Sequence, residues 1–514
     1  MGKEKWNKYS IKIEMMILSR YNLNKINVPG LILPEENIFG LPEKVLQFGT
    51  GVLLRGLPDY FIDKANRNGI FNGRIVVVKS TSTGSADDFD RQDGLYTFYL
   101  KGIENAKEVN EQVVCSAISR VLSASTDWDR ILQVAHGPHL QVIISNTTEI
   151  GIQLVKDDVR KHPPVSFPGK LLAILYERYK AFNGDKKRGL VIIPTELIID
   201  NGKKLESIVL ELAHLNKLEP AFMDWLEGCN SFCNSLVDRI VPGKPEEALY
   251  NELEKQSGYR DELRMIAEPY SLWAIEGDKK VASILSFSKS DKGVVITPDI
   301  ELFRELKLRL LNGTHTLTCA IAFLSGFRTV KNAMDNEHFL RFIKQLMKNE
   351  IKPAIPYTID PDTAEDFSNK VLDRFRNPFI EHKWISISVQ YSTKIKTRVI
   401  PLLLNHYKQL SSVPESIAFG FAAFLRFMKI DKNAEGEYAG VINSIRYPVT
   451  DNQAHVFYEA WAKGNTAQVV KRILKDKTLW DTDLTLLPGF EDAVVSSLNR
   501  IEANGVMEML AQAV

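Results

Sequence analysis

Several features that would assign a function class at once are missing from this sequence. The 514 residues include only four cysteines, and 65 Lys and Arg residues almost balance 64 Asp and Glu residues. So few cysteines in so long a chain argue against a disulfide framework and favour reduced thiols. The balanced charge excludes a bulk attraction to nucleic acid, and no apolar run approaches the roughly 20 residues of a membrane span. We therefore expect a cytoplasmic protein without nucleic-acid or membrane partners.

A metal centre is also not expected. Cys229 and Cys233 are spaced to share a helix face, but no cluster of His or Asp residues accompanies them. Structural and catalytic zinc sites need three or four clustered protein ligands. The sequence therefore predicts no metal, and any anion-binding function has to come from a local site.

Short apolar segments alternate with helical patterns through the first 300 residues. Strands and helices are predicted at residues 45–48, 52–66, 74–79, 140–145, 170–182 and 189–194. Uninterrupted apolar strands of this kind are typical of a parallel sheet that is covered by helices on both faces. We predict a doubly wound α/β domain, which binds ligands at the carboxyl ends of its strands.

The pattern changes near residue 300, where strand-like runs nearly vanish. Apolar residues then recur at helical spacing through residues 301–349, 364–374, 379–389, 396–409 and 415–429. This change predicts two domains, the first at residues 1–299 with a mixed N-terminal lead-in, the second at residues 300–514. The second domain is expected to be mainly α-helical.

A nucleotide site is predicted where the first strand turns into the first helix. Gly49 would permit a tight turn, and Gly51 would let the backbone approach a pyrophosphate. Lys79 ends the second strand, where an acidic residue usually binds the adenosine ribose; it either contacts a 2′-phosphate or is a solvated lysine. Thr148 and Glu149 follow the next strand, as nicotinamide or ribose contacts or as an ordinary polar loop. NAD is the expected cofactor, with NADP as the alternative.

The segment from Lys307 to His315 carries the most chemistry. At 100° per residue, Asn312 lies about 140° round a helix from Lys307, and His315 lies about 80° round. The three share one broad face if the helix continues across Gly313. Reduction of a carbonyl needs a proton donor and groups that hold the developing alkoxide, which a lysine, an amide and an imidazole supply without a metal.

Further polar residues are candidates for binding the substrate. Asp238 could bind hydroxyl groups or could belong to a structural ion-pair network with Arg239. Arg374, Lys394 and Arg398 concentrate positive charge in the helical half. Cations of this kind bind carboxylates. Each of them alone could equally well be a solvent-exposed side chain on the surface of a helix.

Taken together, these motifs resemble the mannitol dehydrogenase family, the polyol-specific long-chain dehydrogenases. In chain order the matching motifs are Gly49-x-Gly51-x3-Arg55, Asp93-Gly-Leu-Tyr-Thr97, Val237-Asp238-Arg239-Ile240, Lys307-x4-Asn312-x2-His315 and Arg374-x2-Asn377-Pro378. The similar part runs from about residue 45 to about residue 430. One departure stands out, because this chain has Glu196 where the mannitol enzymes place an asparagine near the reacting oxygen.

The resemblance implies a Rossmann-type domain followed by a helical domain. It implies Lys307 as general acid/base, Asn312 and His315 near the reacting oxygen, and Arg55 in the nucleotide motif. Within the family, it implies reversible NAD-linked interconversion of D-tagaturonate and D-altronate in hexuronate catabolism, with a sugar acid as substrate. Reduction of fructuronate or of a neutral ketose is the nearest alternative, and a nucleotide-sensing regulator that has lost catalysis is the alternative from another class.

Overall fold

The structure, a computed structural model, describes residues 15–79, 87–148 and 150–512. The chain folds into two compact units. The N-terminal unit extends to Lys101 and resumes from Val109 to Ile300, and the C-terminal unit holds Gly102–Glu108 and the chain from Glu301 onward.

Most of the described strands lie in the N-terminal unit. In chain order they are β1 (Leu31–Ile32), β2 (Glu43–Phe48), β3 (Arg74–Lys79), β4 (Tyr96–Glu104), β5 (Lys107–Cys115), β6 (Ile118–Ser123), β7 (Val142–Ser145), β8 (Val191–Pro194), β9 (Ser231–Phe232), β10 (Ser235–Asp238), β11 (Met265–Ala267), β12 (Leu272–Glu276) and β13 (Val294–Thr297). Among the described residues they form a six-stranded sheet in the order β6-β3-β2-β7-β8-β9 and two smaller sheets, β1-β5-β4-β11 and β10-β12-β13.

The six-stranded sheet is parallel throughout and has doubly wound order. Its strand order reverses between β2 and β7, which is where doubly wound sheets bind their ligands. Successive residues alternate between two cores: Val45 packs into the core on one face, and Leu46 packs into the core on the other. Because both faces are buried, the strands read as uninterrupted apolar runs, so the predicted Rossmann-type fold is confirmed.

Helices lie between the strands along the chain of the N-terminal unit. They are α1 (Val52–Gly56), α2 (Pro58–Arg67), α3 (Asp87–Arg91), α4 (Trp128–Val134), α5 (Phe167–Ala181), α6 (Asn201–Leu215), α7 (Pro220–Cys229), α8 (Glu247–Ser257) and α9 (Lys279–Ile284). Short 3-10 helices lie at Arg20–Lys25, Glu36–Gly40, Lys186–Arg188 and Ser286–Ser290, with one at Leu484–Leu486 in the C-terminal unit.

The helix predicted at residues 52–66 is interrupted. Leu57 leaves helical geometry, with φ −134° and ψ −81°, and α2 restarts at Pro58. Proline disfavours helical geometry in the residue before it, which explains the break. The chain also packs tightly here, because a Cβ on Gly56 would lie 2.9 Å from side-chain atoms of Met265 and Val241.

The C-terminal unit is mainly helical, as predicted. Its α-helices are α10 (Glu301–Glu305), α11 (Thr314–Leu324), α12 (Val330–Met334), α13 (Glu337–Gln345), α14 (Lys352–Ala354), α15 (Pro361–Phe375), α16 (Trp384–Ile387), α17 (Tyr391–Lys394), α18 (Ile400–Gln409), α19 (Glu415–Phe427), α20 (Ala454–Lys463), α21 (Thr466–Lys475), α22 (Lys477–Trp480), α23 (Phe490–Asn504) and α24 (Val506–Gln512). Three π-helical segments join some of them: π1 (Leu306–Gly313), π2 (Leu346–Ile351) and π3 (Ile395–Val399). A small antiparallel sheet contains β14 (Ile430–Lys432), β15 (Tyr438–Ile442) and β16 (Ile445–Pro448).

Candidate active site

The glycine turn after β2 has the geometry that close backbone approach requires. Gly49 has φ 125°, a conformation that L side chains rarely adopt, and a Cβ there would lie 3.0 Å from the backbone oxygen of Asn146. Gly51 precedes α1, and a Cβ on it would meet no atom within 4 Å. The turn is therefore packed on its inner side at Gly49 and open at Gly51.

The other residues predicted to bind the cofactor gather at the same edge of the sheet. Lys79 ends β3, which pairs with one side of β2, and Thr148 follows β7, which pairs with the other side. Because these strands are parallel, their carboxyl ends meet at one edge, beside the switch point. Thr148 is exposed and Lys79 is partly buried. Glu149 lies outside the described residues.

Arg55 has a different environment. Its guanidinium is buried, donates a hydrogen bond to the carbonyl oxygen of Leu263, and lies over the rings of Phe89 and Tyr96. The Tyr96 hydroxyl in turn donates to the Arg55 carbonyl oxygen at 2.7 Å. These contacts make Arg55 a packing residue beneath the turn, and its predicted contact with the cofactor stays a prediction.

Asp238 ends strand β10, Arg239 follows it, and both are buried. The Arg239 guanidinium donates to the carbonyl oxygens of Gly56 at 2.8 Å and Glu268 at 3.0 Å, and it lies 4.8 Å from the ring centroid of Tyr60. Arg239 therefore ties α1 and β11 to this strand, which supports the structural role that the sequence left open. The assignment of Asp238 to substrate hydroxyls remains a prediction.

Lys307, Asn312 and His315 lie on one continuous helical stretch formed by α10, π1 and α11. The helix does run across Gly313, but the α-helical angles do not apply, because hydrogen bonds in a π-helix join residues five apart. Lys307 and Asn312 are five apart, the spacing that one π-helical hydrogen bond spans, so they lie towards the same side of the helix. Lys307 and Asn312 are partly buried, and His315 is buried.

Arg309 in π1 forms a buried ion pair and also binds the backbone of π3. Arg309 donates to the Glu305 carboxylate at 2.9 and 3.0 Å, and its guanidinium also donates to the carbonyl oxygens of Thr397 at 2.7 Å and Arg398 at 3.0 Å. Both side chains of the pair are more than nine-tenths buried. The same guanidinium therefore joins the Glu305 carboxylate to the backbone of π3. Removing Glu305 would leave the buried charge of Arg309 uncompensated.

The His315 imidazole lies in an aromatic cage with one nitrogen unused by the protein. Its ring stacks on Phe375 at a centroid distance of 4.0 Å and meets the rings of His382 at 5.0 Å and Trp384 at 5.9 Å nearly at right angles. The side chain is 6% exposed, and its Nε2 has no hydrogen-bond partner. A buried polar atom without a partner is rare in proteins, so this nitrogen is a candidate contact for a bound water or ligand atom.

The three basic residues predicted to bind the substrate all act electrostatically on this imidazole. Burial lowers the pKa of His315 well below its ordinary value, and the charges of Arg374, Lys394 and Arg398 lower it further, as does His382. The Lys394 ammonium donates to the Ile387 carbonyl oxygen at 2.7 Å, and Arg398 donates to the Thr316 hydroxyl at 3.3 Å. Burial and these three charges therefore all favour the neutral form of the His315 imidazole.

His382 is a site residue that the sequence did not reveal. A helix was predicted at residues 379–389, but only Trp384–Ile387 is helical. The preceding segment is extended: Lys383 bridges to Thr329, and the His382 carbonyl oxygen accepts from the Val330 N–H at 2.9 Å. Three consecutive polar residues, at 381–383, interrupt the apolar spacing and could have indicated that this segment is not helical. The extended backbone of this segment places the His382 ring beside His315.

We expect the stability of the protein to fall on acidification because His315 and His382 are buried in their neutral forms. Burial, with Arg374 and Lys394, lowers the pKa of His382 from 6.5 to about 4. Below pH 6.5, His382 binds a proton in the unfolded chain but stays neutral in the folded chain. The free energy of unfolding therefore decreases as the pH drops from 6.5 towards 4. Urea titrations across this interval measure the slope, which His382→Gln should flatten. The same substitution at exposed His455 should leave the slope unchanged, and a slope equally steep in both variants contradicts the assignment.

No group of three His, Cys, Asp or Glu side chains in residues 15–79, 87–148 and 150–512 is arranged to hold a metal ion. Within the same ranges, no helix is both long enough and apolar enough to span a membrane.

Comparison with known proteins identifies the family. The family model described as the mannitol dehydrogenase Rossmann domain matches residues 43–289, and the model of the mannitol dehydrogenase C-terminal domain matches residues 299–502. The chain belongs to the mannitol dehydrogenase family. The resemblance drawn from the short motifs is thereby confirmed.

Mannitol dehydrogenase family members with similar sequences include two named altronate oxidoreductase. The one from Bacillus subtilis is 38% identical over 474 residues, which cover 92% of this chain and 95% of that protein. The one from Escherichia coli O7:K1 is 35% identical over 476 residues, covering 91% and 96%. The prediction of a branch of the family that acts on sugar acids therefore agrees with the names of these relatives.

Two solved structures share the fold. The mannitol 2-dehydrogenase of Pseudomonas fluorescens, solved in a ternary complex with NAD and D-mannitol, has a TM-score of 0.69 at 22% identity and covers 97% of this chain and 99% of that chain. A substrate-free D-sorbitol dehydrogenase has a TM-score of 0.76 at 20% identity, with coverage of 96% and 99%. At these identities the likeness establishes the architecture of a Rossmann-type domain followed by a helical domain.

Proposed function

We propose that this chain is an NAD-dependent oxidoreductase that interconverts D-tagaturonate and D-altronate in hexuronate catabolism. The relatives named altronate oxidoreductase, 35–38% identical over at least nine-tenths of the chain, support the activity. The structural observation that carries the proposal is the buried His315 imidazole, whose Nε2 has no partner and on which the charges of Arg374, Lys394 and Arg398 all act. A neutral polyol has no charge to balance these cations, whereas the carboxylate of a hexuronate does.

The chain's own residues supply the proton and hold the reacting oxygen. When bound, NADH would supply the hydride for the ketone carbon. Lys307 donates a proton to the carbonyl oxygen as the hydride arrives, and in the reverse direction it removes that proton from the alcohol. The Asn312 amide and the neutral His315 imidazole donate hydrogen bonds to the developing alkoxide. Burial of His315 keeps water away from its open nitrogen, so the hydrogen bond forms in a medium of low polarity.

The nucleotide is assigned to the glycine turn. Gly51 leaves open space above the turn, and Thr148 lies at the same edge of the sheet, so these positions fit a dinucleotide. NAD is the proposed cofactor, and Lys79 at the end of β3 keeps NADP as the alternative through a 2′-phosphate. We place the protein in the cytoplasm, which agrees with four free, buried cysteines.

Substrate specificity tests the proposal directly. The purified protein is mixed with NADH and, in separate assays, with tagaturonate, fructuronate and fructose, and the loss of NADH absorbance is followed. We expect the highest kcat/KM with tagaturonate and the lowest with fructose, since only the two hexuronates carry a carboxylate. A preference for fructuronate or fructose would assign the chain to a sibling activity, and NADH binding without turnover on any of the three would favour the nucleotide-sensing regulator.

A further inference from the structure

Glu196, just after strand β8, is a buried carboxylate with both oxygens engaged. It is 4% exposed. Its Oε1 accepts hydrogen bonds from the Thr147 backbone N–H at 2.8 Å and from the Thr147 hydroxyl at 2.9 Å, and its Oε2 accepts from the Ser145 hydroxyl at 3.1 Å. Three donors from one short loop thus converge on a single side chain from the neighbouring strand.

The loop that Glu196 holds, residues 145–148, also supports the glycine turn. The Asn146 N–H donates to the Phe48 carbonyl oxygen at 3.1 Å, and the Asn146 carbonyl oxygen lies 3.0 Å from where a Cβ on Gly49 would be. On the other side, the Asn146 side chain donates to the Thr195 hydroxyl at 3.0 Å. The contacts therefore run without interruption from β8 through the loop to the turn.

We infer that Glu196 is a positioning residue that fixes the loop after β7 and, through it, the nucleotide-binding turn. The inference rests on the proposed function only in taking NADH as the nucleotide. The family resemblance would give this position an amide near the reacting oxygen, but here both carboxylate oxygens are used within the N-terminal unit. Holding the turn in its binding geometry before the nucleotide arrives removes an ordering cost from binding.

The effect of Glu196 should appear in nucleotide affinity rather than in chemistry. In Glu196→Ala, the dissociation constant for NADH, measured by fluorescence titration, should rise about tenfold, since hydrogen bonds to a charged group are lost. At saturating NADH, kcat for tagaturonate should stay within about twofold of wild type, because the reacting residues are unchanged. Glu196→Gln should recover most of the affinity, since its amide oxygen still accepts from Thr147 and its amide N–H can donate to the Ser145 hydroxyl.

Asp63 offers a matched control in the same unit. It is fully buried, and its Oδ1 accepts from the Ser116 backbone N–H at 2.8 Å and from the Ser116 hydroxyl at 3.0 Å, which repeats the pattern of Glu196 and Thr147. Ser116 lies just before β6, at the amino edge of the sheet, opposite the nucleotide turn. Asp63→Ala should therefore lower the melting temperature without changing the affinity for NADH.

The outcomes separate the inference from the proposed function. Unchanged NADH affinity in Glu196→Ala overturns the inference, as does an equal loss of affinity in Asp63→Ala, which would reflect general destabilisation. If Glu196→Ala does not fold, Thr147→Val decides the question, because it removes one of the three hydrogen bonds and should weaken NADH binding, and unchanged affinity overturns the inference. A wild-type protein that binds no NADH would instead overturn the proposed cofactor and function.

Discussion

Replacement of Lys307 by alanine should lower kcat for tagaturonate reduction by about 10²–10⁴-fold, the usual contribution of a positioned acid or base. The dissociation constant for NADH should stay near the wild-type value, since the turn and loop proposed to bind the nucleotide belong to the N-terminal unit. Stopped-flow or steady-state assays give kcat, and fluorescence titration gives the NADH affinity. Small primary amines added to the variant should restore part of the turnover, because they supply the missing proton donor.

A second lysine distinguishes catalysis from a general effect of losing charge. Lys344 is exposed on α13 in the same unit, so Lys344→Ala should retain wild-type turnover. Unaltered turnover in Lys307→Ala would remove Lys307 from the mechanism. A parallel loss of turnover, NADH affinity and melting temperature would show that the residue supports the fold.

Replacement of Arg398 by methionine should separate acidic from neutral substrates. Burial lowers the pKa of Arg398 to about 10, so it is still cationic at neutral pH. Its hydrogen bond to Thr316 is long, at 3.3 Å, which leaves the guanidinium able to turn towards a carboxylate. Loss of a hydrogen bond between two charged groups costs roughly 1.5–3 kcal/mol, so kcat/KM for tagaturonate should fall about 10- to 100-fold. Residual activity on fructose should not change.

Lys396 provides the control on the same π segment. Its ammonium pairs with Asp481 at 2.7 Å on the surface, and exposed pairs contribute little. Lys396→Met should therefore leave both substrates unaffected. Equal losses for tagaturonate and fructose in Arg398→Met would show that Arg398 binds a part of the sugar other than the carboxylate, and Lys394→Met would then test the neighbouring cation in the same way.

Four strands of the six-stranded sheet, β2, β3, β7 and β8, could be predicted from the sequence, whereas its two outer strands, β6 and β9, were not predicted. Arg74–Lys79 was predicted and is observed with the same bounds, and the strands ending at Phe48, Ser145 and Pro194 end where they were expected. A strand that is buried on both faces needs apolar residues at every position, so its signal is local. The glycine turn follows from the same strands, because its position depends on where β2 ends.

The arrangement of the C-terminal site depends on contacts that no local pattern contains. The hydroxyl of Tyr391 donates to the Thr316 carbonyl oxygen at 2.7 Å and accepts from the Ala320 N–H at 3.0 Å, so it stands in for a backbone hydrogen bond of α11. The π segments likewise depart from the 3.6-residue repeat on which helical periodicity rests. The sequence indicated Lys307 and His315 as candidate site residues, but it did not predict the π-helical geometry that relates their positions.

The π segment between α10 and α11 tolerates a change of chain length. Its backbone hydrogen bonds join residues five apart, whereas those of an α-helix join residues four apart. If one residue between Lys307 and Asn312 were deleted, the stretch could rewind as an ordinary α-helix, in which residues four apart lie only about 40° apart round the axis. When homologous chains are aligned, a single-residue gap in this stretch should therefore mark a change from π- to α-helix that keeps both side chains on one side.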